Sequence, residues 1–193
     1  MMKSLCGISL WAVIADAAII VTRFTASAAV EDQAQNGFTI AETAVIAAPP
    51  GRVYEALLVP AHWWSSEHTY SHNAGNLSLD AHAGGCWCET LPGGGSVQHL
   101  VVANVIPGKL LRLRGALGPL QGMAVDGAMT FALHAASSGT ELTLTYAVGG
   151  YSKGGFGELS GAVDSVLAEQ TARLKRLVET GSPETVPLEK KGN

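Results

Sequence analysis

Cysteine, aromatic and charged residues are all scarce in this chain, and each shortage excludes a class of protein. Three cysteines in 193 residues are too few for a disulfide scaffold. Charged residues make up only 15%, and no run of like charge is long enough to form an interaction tail. With 12 basic against 16 acidic residues the net charge is −4, so the basic footprint of a nucleic-acid binder is missing. A single segment is apolar for long enough to span a bilayer, which excludes a polytopic membrane protein. There is no phosphate loop, dinucleotide fingerprint, paired-carboxylate motif or Ser-His-Asp order, and no cofactor is expected. What the chain does have is apolar bulk. Hydrophobic residues reach 47% and mean hydropathy is +0.23, enough for the core of one domain.

The one long apolar segment is at the front. Lys3 precedes an apolar stretch at 5–22, broken only by Asp16, which leads into Thr25-Ala26-Ser27-Ala28-Ala29. Ala26-Ser27-Ala28 has the small-x-small form that a signal peptidase cuts. We therefore read 1–28 as a signal peptide, followed by a short polar linker at 29–37, and expect export to the periplasm or the exterior. The alternative is an uncleaved N-terminal helix that anchors the protein in the membrane. Asp16 opposes it, because an Asp at the centre of a spanning helix costs about 2.5–3.5 kcal/mol. On the signal reading the mature protein has no membrane span.

The remainder alternates between strand patterns and turn residues. A first strand at 38–47 ends at Ala48-Pro49-Pro50. Pro50 then suits the first turn of a helix carrying Val53, Tyr54, Leu57 and Leu58, which Pro60 stops. Six further strands are expected at 76–80, 85–91, 96–106, 109–116, 125–135 and 140–148, most of them separated by Gly, Pro or Ser turns. In the last one, Leu142, Leu144, Tyr146 and Val148 alternate with Glu141, Thr143, Thr145 and Ala147, so one face is buried. The strongest helix comes last. Leu159, Val163, Val166, Leu167, Leu174, Leu177 and Val178 fall three or four apart, with Asp164, Glu169, Arg173, Lys175 and Arg176 on the other face and Gly181 as the stop. Consecutive strands with short turns make one antiparallel sheet, and the long C-terminal helix is the only element large enough to cover it. The fold class is α+β.

These residues resemble the START-like (SRPBCC) superfamily. The nearest branch is that of the heat-shock-protein-90 ATPase activator homologue-like proteins, shading into polyketide cyclase-like members. The resemblance is carried by Ala47-Ala48-Pro49-Pro50 with Val53-Tyr54-Glu55-Ala56-Leu57, by His62-Trp63-Trp64, by Gly84-Gly85, and by Val105-Ile106-Pro107 ahead of Leu110-Leu111. Leu58-Val59-Pro60 stands where relatives carry Thr-Asp-Pro. The domain runs over 38–181, leaving 182–193 as a polar tail. The resemblance implies a helix-grip fold, a curved antiparallel sheet wrapped around the long C-terminal helix with a cavity between them. It does not supply a reaction, because the fold hosts carriers and enzymes alike.

Candidate site residues follow from that cavity. Met129, Phe131, Leu144, Val163 and Leu167 are expected to line it, with Trp64 and Trp87 near its mouth and Tyr146 or His99 as the polar group that orients a ligand. Five of the six histidines (His62, His68, His72, His82 and His99) fall between 62 and 99, together with Cys86 and Cys88. Positions two apart on a strand share a face, so the two sulfurs point the same way. With His82 or His99 they make a weak metal candidate, but Cys-x-Cys is not a structural zinc spacing, and no metal is expected. A disulfide between them is hindered, because an undistorted strand separates their Cα atoms by about 6.7 Å and a bulge or strain would be needed. Two reduced thiols, with no part in shaping the cavity, are the expected state.

The functional expectation is an exported domain that buries a small apolar or amphipathic molecule. An enzyme of cyclase or hydrolase type in the same cavity is the first alternative, with His99 or Tyr146 as acid–base, and a metal- or redox-responsive protein the second. N-terminal sequencing of the exported protein should begin near Ala29 or Val30. An intact Met1 in a membrane fraction would support the anchor instead.

Overall fold

The computed structural model describes residues 27–185. In chain order these form β1 (Ser27–Ala34), β2 (Gly37–Ile46), α1 (Pro50–Leu57), β3 (Leu77–Leu79), β4 (Cys86–Thr90), β5 (Ser96–Ile106), β6 (Leu110–Arg114), β7 (Ala124–Ala136), β8 (Gly139–Tyr151) and α2 (Gly157–Thr180). Short helical turns fill the stretch between α1 and β3. The signal peptide read at 1–28 lies outside the described residues except for Ser27 and Ala28, and the tail is described only to Thr185.

All eight strands join one antiparallel sheet in the order β1-β2-β8-β7-β6-β5-β4-β3. Turns and loops link β3 through β8 into a meander, and β2 pairs with β8, placing the first and last long strands side by side. The sheet is curved, and α2 lies across it in a helix-grip arrangement. Alternation explains which face is inside. In β8, Thr140, Leu142, Leu144, Tyr146 and Val148 are buried, and β7 turns Met129, Phe131 and Leu133 to the same side. Arg112 and Arg114 of β6 are exposed between Leu111 and Leu113. The helix α1 buries Val53, Tyr54 and Leu57 and packs on β7 and β8.

The segment 29–37, expected as a linker, instead contains most of β1. Its Glu31-Asp32-Gln33-Ala34 run is exposed throughout, so it leaves no hydrophobic pattern for a sequence to display. Backbone pairing with β2 over Ser27↔Thr43 to Ala34↔Gly37 holds it in place. Ser160 of α2 also donates to Gln33 at 2.9 Å.

The long helix ends where its glycine requires. Gly181 has φ +83 and donates its N–H to Leu177 O at 2.9 Å, a left-handed cap that other residues adopt at a cost. Its buried residues are Ser160, Leu167, Gln170, Thr171, Leu174 and Val178. Of the charged residues expected on its solvent face, Asp164 turns towards β2 instead, and Lys175 and Arg173 reach back to β2 and to the loop after α1. Lys175 Nζ donates to Val45 O at 2.6 Å, and Arg173 Nε donates to Trp63 O at 2.8 Å. Long aliphatic stems allow both to reach back across packed surface. Glu179 completes the clasp by accepting from Ala47 N at 2.8 Å.

A carboxyl pair is caught in this interface. Glu42, on the inward face of β2, is 1% exposed and faces Asp164 of α2. Burial, reinforced by the charge of Asp164 and a hydrogen bond to it, pushes Glu42 up to about 7. The unfolded chain releases that proton near 4.5, so between these values the folded state holds a proton that the unfolded state has lost. Stability therefore falls as pH rises from 4.5 towards 7, then levels off. Glu42→Gln keeps the shape and abolishes the titration. Urea unfolding at about pH 5 and pH 8 should show the native protein losing about 2–3 kcal/mol more than the variant. Equal losses would mean that Glu42 is ionised throughout.

Candidate functional site

A cavity of about 480 Å³ opens between the N-terminal half of α2 and the β3–β5 end of the sheet. Its helix wall is Leu159, Ala162, Val163, Val166 and Leu167, a stripe at helical spacing in which only Leu167 is fully buried. Trp64, Leu77 and Trp87 line the opposite side, and Leu117, Gly118 and Pro119 close one flank. Polar groups enter from Glu67, His68, Thr69, Tyr70 and His99.

The tryptophans brace one another. Trp64 and Trp87 meet edge to face with ring centres 5.1 Å apart, and Trp63 lies 5.4 Å from Trp64 and 6.0 Å from Trp87. Pairs of this geometry add about 0.5–1.5 kcal/mol each beyond burial. Trp64 Nε1 donates to His68 O at 3.0 Å, which fixes the loop bearing the polar side of the mouth. Ser65 N donates to Gln170 Oε1 at 2.7 Å, tying that loop to α2.

His99 owes its place to a bulge. Along β4 and β5, Trp87 pairs with Leu100 but Cys88 pairs with Gln98, leaving His99 as the extra residue. A bulge interrupts strict alternation, and His99 and Leu100 are accordingly buried together. On the facing strand Trp87 and Glu89 point inward. Glu89 accepts from His99 Nε2 at 2.9 Å, from Tyr70 N at 3.1 Å and from Ser71 N at 2.5 Å.

Charge follows from these contacts. Burial alone would raise Glu89, yet the hydrogen bonds from Ser71, Tyr70 and His99 outweigh it and hold the carboxyl below its usual range. For His99 burial wins and lowers its pKa, with Glu89 pulling partly the other way. The pair at neutral pH is thus a carboxylate beside an uncharged imidazole. An ionised carboxylate only accepts, so Nε2 carries the proton and Nδ1 is left as an unprotonated acceptor on a ring that lines the cavity.

The structure brings together Trp64, Trp87, His99, Val163 and Leu167 of the expected lining. Met129, Phe131, Leu144 and Tyr146 are elsewhere, buried at 2% exposure or less in the core beneath. The reason is that α1 packs over the central strands β7 and β8, so the space left open lies towards β3–β5. The Tyr146 hydroxyl is already committed, donating to Gly115 O at 3.0 Å and accepting from Leu117 N at 3.2 Å. Burial pushes that phenol up to about 12. Its role is to hold the 115–117 segment that forms the flank.

The cysteines also differ from expectation. Cys86 and Cys88 form a disulfide across Cα atoms 5.4 Å apart, made feasible by the register shift between Trp87 and Cys88. They do not converge with the histidines. His82 is exposed and contacts Asp80 at 2.6 Å, while His99 faces the opposite side of the sheet from the sulfurs. Among the described residues no group of three or more His, Cys, Asp and Glu side chains could hold a metal.

Glu89 was missed by the sequence reading, although one signal was present. It sits two residues from Trp87 on the same strand, and an acid sharing a face with a core tryptophan needs buried donors. Tyr70 and the 117–119 flank come from irregular segments and left no such trace.

Residues 37–179 match the family model described as polyketide cyclase / dehydrase and lipid transport. The chain belongs to this family. No curated protein matches it. Solved structures with the same fold include protein MLL2253 from Mesorhizobium loti, 18% identical with a TM-score of 0.54 over 72% of this chain and 96% of the other. A second is protein CV1439 from Chromobacterium violaceum, 23% identical with a TM-score of 0.51 over 73% and 97%. A third is the Aha1 dimer from Colwellia psychrerythraea, 19% identical with a TM-score of 0.50 over 74% and 97%. The family match and the shared fold bear out the START-like (SRPBCC) resemblance and its polyketide cyclase-like side.

Glu89→Gln keeps volume but presents an NH₂ where one of three donors needs an acceptor. Urea unfolding should register a loss of about 1–3 kcal/mol. An NMR titration of the His99 ring should move further down, because Glu89 supports its protonation. Unchanged stability would mean that the carboxylate is not the shared acceptor.

Proposed function

We propose that this family member is exported and binds a small apolar or amphipathic molecule in the cavity under α2. The observation that carries the reading is the cavity itself. Its 480 Å³ falls within the range of small-molecule sites, about 300–1,000 Å³, and its walls are mostly aliphatic and aromatic. A ligand's apolar body would displace water from Val163, Val166, Leu159 and the indoles, with stabilisation of about 25 cal/mol per Å² buried. Its polar end would face His99 and Tyr70 at the wet side. The family description, which includes lipid transport, supports an apolar ligand. Export is supported by the leader-like segment at 1–28 and by the Cys86–Cys88 disulfide, a bond that persists in oxidising compartments. No helix of the described residues is long and apolar enough to cross a membrane.

A second reading is favoured by one observation, the Glu89–His99 pair. A neutral imidazole with a free Nδ1, held by a buried carboxylate, is the arrangement of a general base. On this reading the cavity belongs to an enzyme of cyclase or hydrolase type, with His99 removing a proton from the bound molecule. Native mass spectrometry of protein from its own host separates the two. A carrier would retain one apolar species whether or not His99 is changed to Gln, whereas an enzyme would accumulate an unconverted species only in the variant.

An environment-sensitive apolar dye should bind the native protein with micromolar affinity. Val163→Glu should weaken binding at least about tenfold, because the charge must be desolvated in an apolar wall. Glu141→Gln should leave affinity within about twofold, since that side chain is exposed on the outer face of β8 and outside the cavity. If Val163→Glu has no effect, the dye is on the surface and the carrier reading loses its support.

A further inference from the structure

We propose that the Cys86–Cys88 disulfide is a redox switch for the cavity, acting through the bulge that presents His99. The proposal rests on the ligand-site reading above and adds its regulation.

The geometry points both ways across one pair of strands. On β4 the two steps from Cys86 to Cys88 cover 5.4 Å between Cα atoms. An extended strand covers about 6.7 Å in two steps, so the bond draws this segment in. On β5 the same interval takes three steps, from Val101 opposite Cys86 to Gln98 opposite Cys88. A contracted segment facing an overlong one is what keeps His99 as the inserted residue. Without the bulge, alternation would send either His99 or Leu100 outward, and both are buried.

Everything on the inner face of this segment belongs to the site. Trp87, between the two cysteines, lines the cavity. Glu89, next to Cys88, accepts from His99 and from the 70–71 backbone. The cysteines alternate with these residues and lie on the other face, partly exposed. A small dithiol can therefore reach the sulfurs without entering the cavity. In the exchange a dithiol passes two electrons and two protons to the bond, leaving two cysteine thiols and its own disulfide. The constraint on β4 is then gone. The strand can lengthen, and β5 can slip by the one residue that turns His99 from the cavity and separates it from Glu89. This differs from the expectation that the thiols have no part in shaping the cavity.

The test compares oxidised protein, protein reduced by dithiothreitol and reoxidised protein, with far-UV circular dichroism as the check on folding. The His99 ring signal by NMR reports the bulge, and the affinity for the apolar dye reports the cavity. We expect the reduced protein to stay folded, to show a shifted His99 ring that titrates nearer the ordinary histidine value, and to bind dye about fivefold or more weakly, within the usual range of coupling between sites. Reoxidation should restore both readouts. The double variant Cys86→Ser, Cys88→Ser should match the reduced protein and ignore dithiothreitol. An unmoved His99 signal, an unmoved dye affinity in a protein that binds the dye, or unfolding on reduction would each overturn the switch, the last by making the bond a structural staple. If oxidised protein binds no dye while His99 still responds, the ligand reading fails and the coupling of disulfide to bulge stands.

Discussion

A carboxylate with no exposed surface must take its donors from whatever the fold brings near, and Glu89 takes three from two other parts of the chain. Its strand supplies the charge, the loop after the tryptophan pair supplies two backbone N–H groups, and the bulge supplies the imidazole. Remove the charge and each donor is left buried without an acceptor as good. The loop at 65–71, the β4–β5 ribbon and the protonation state of His99 are therefore parts of one arrangement. The mouth of the cavity is built around a single ionised group.

The rest of the cavity comes from a division of labour within α2. Its C-terminal half is clasped to the sheet by buried Leu174 and Val178 and by the hydrogen bonds of Lys175 and Glu179. Its N-terminal half divides its faces. Ser160 and Asp164 look to β1 and β2, while Leu159, Val163 and Val166 look into open space. Those three residues keep partial exposure because they line a cavity and do not fill a core. One amphipathic helix thus serves as both lid and anchor.

Much of this was legible in the sequence, and what was not has physical causes. The seven strands with turn punctuation were found, since alternation in segments such as Leu142–Val148 is imposed by burial on one side. The stop at Gly181 was found because a left-handed cap has a residue preference. β1 was read as a linker because it is an edge strand held by backbone bonds, which carry no side-chain signature. Tyr146 was placed on the correct face of β8 but not in the correct place. Alternation says inward, and it does not say whether a helix such as α1 has already filled the space. The bulge at His99 depends on a match between two strands, so neither strand alone reveals it. The reading of reduced thiols failed for the same reason, having measured the Cys86–Cys88 span on an ideal strand.

Among the described residues the sheet ends in two rims, and they differ in length. The β3 rim is only three residues long. β1 is longer, but its register shifts between Val30 and Asp32, and Glu31 and Asp32 are exposed along it. A strand from another copy laid alongside would meet a kinked backbone carrying the same negative charges as itself. The segment that looked like a featureless connector thus makes this rim a poor template for a strand from another copy.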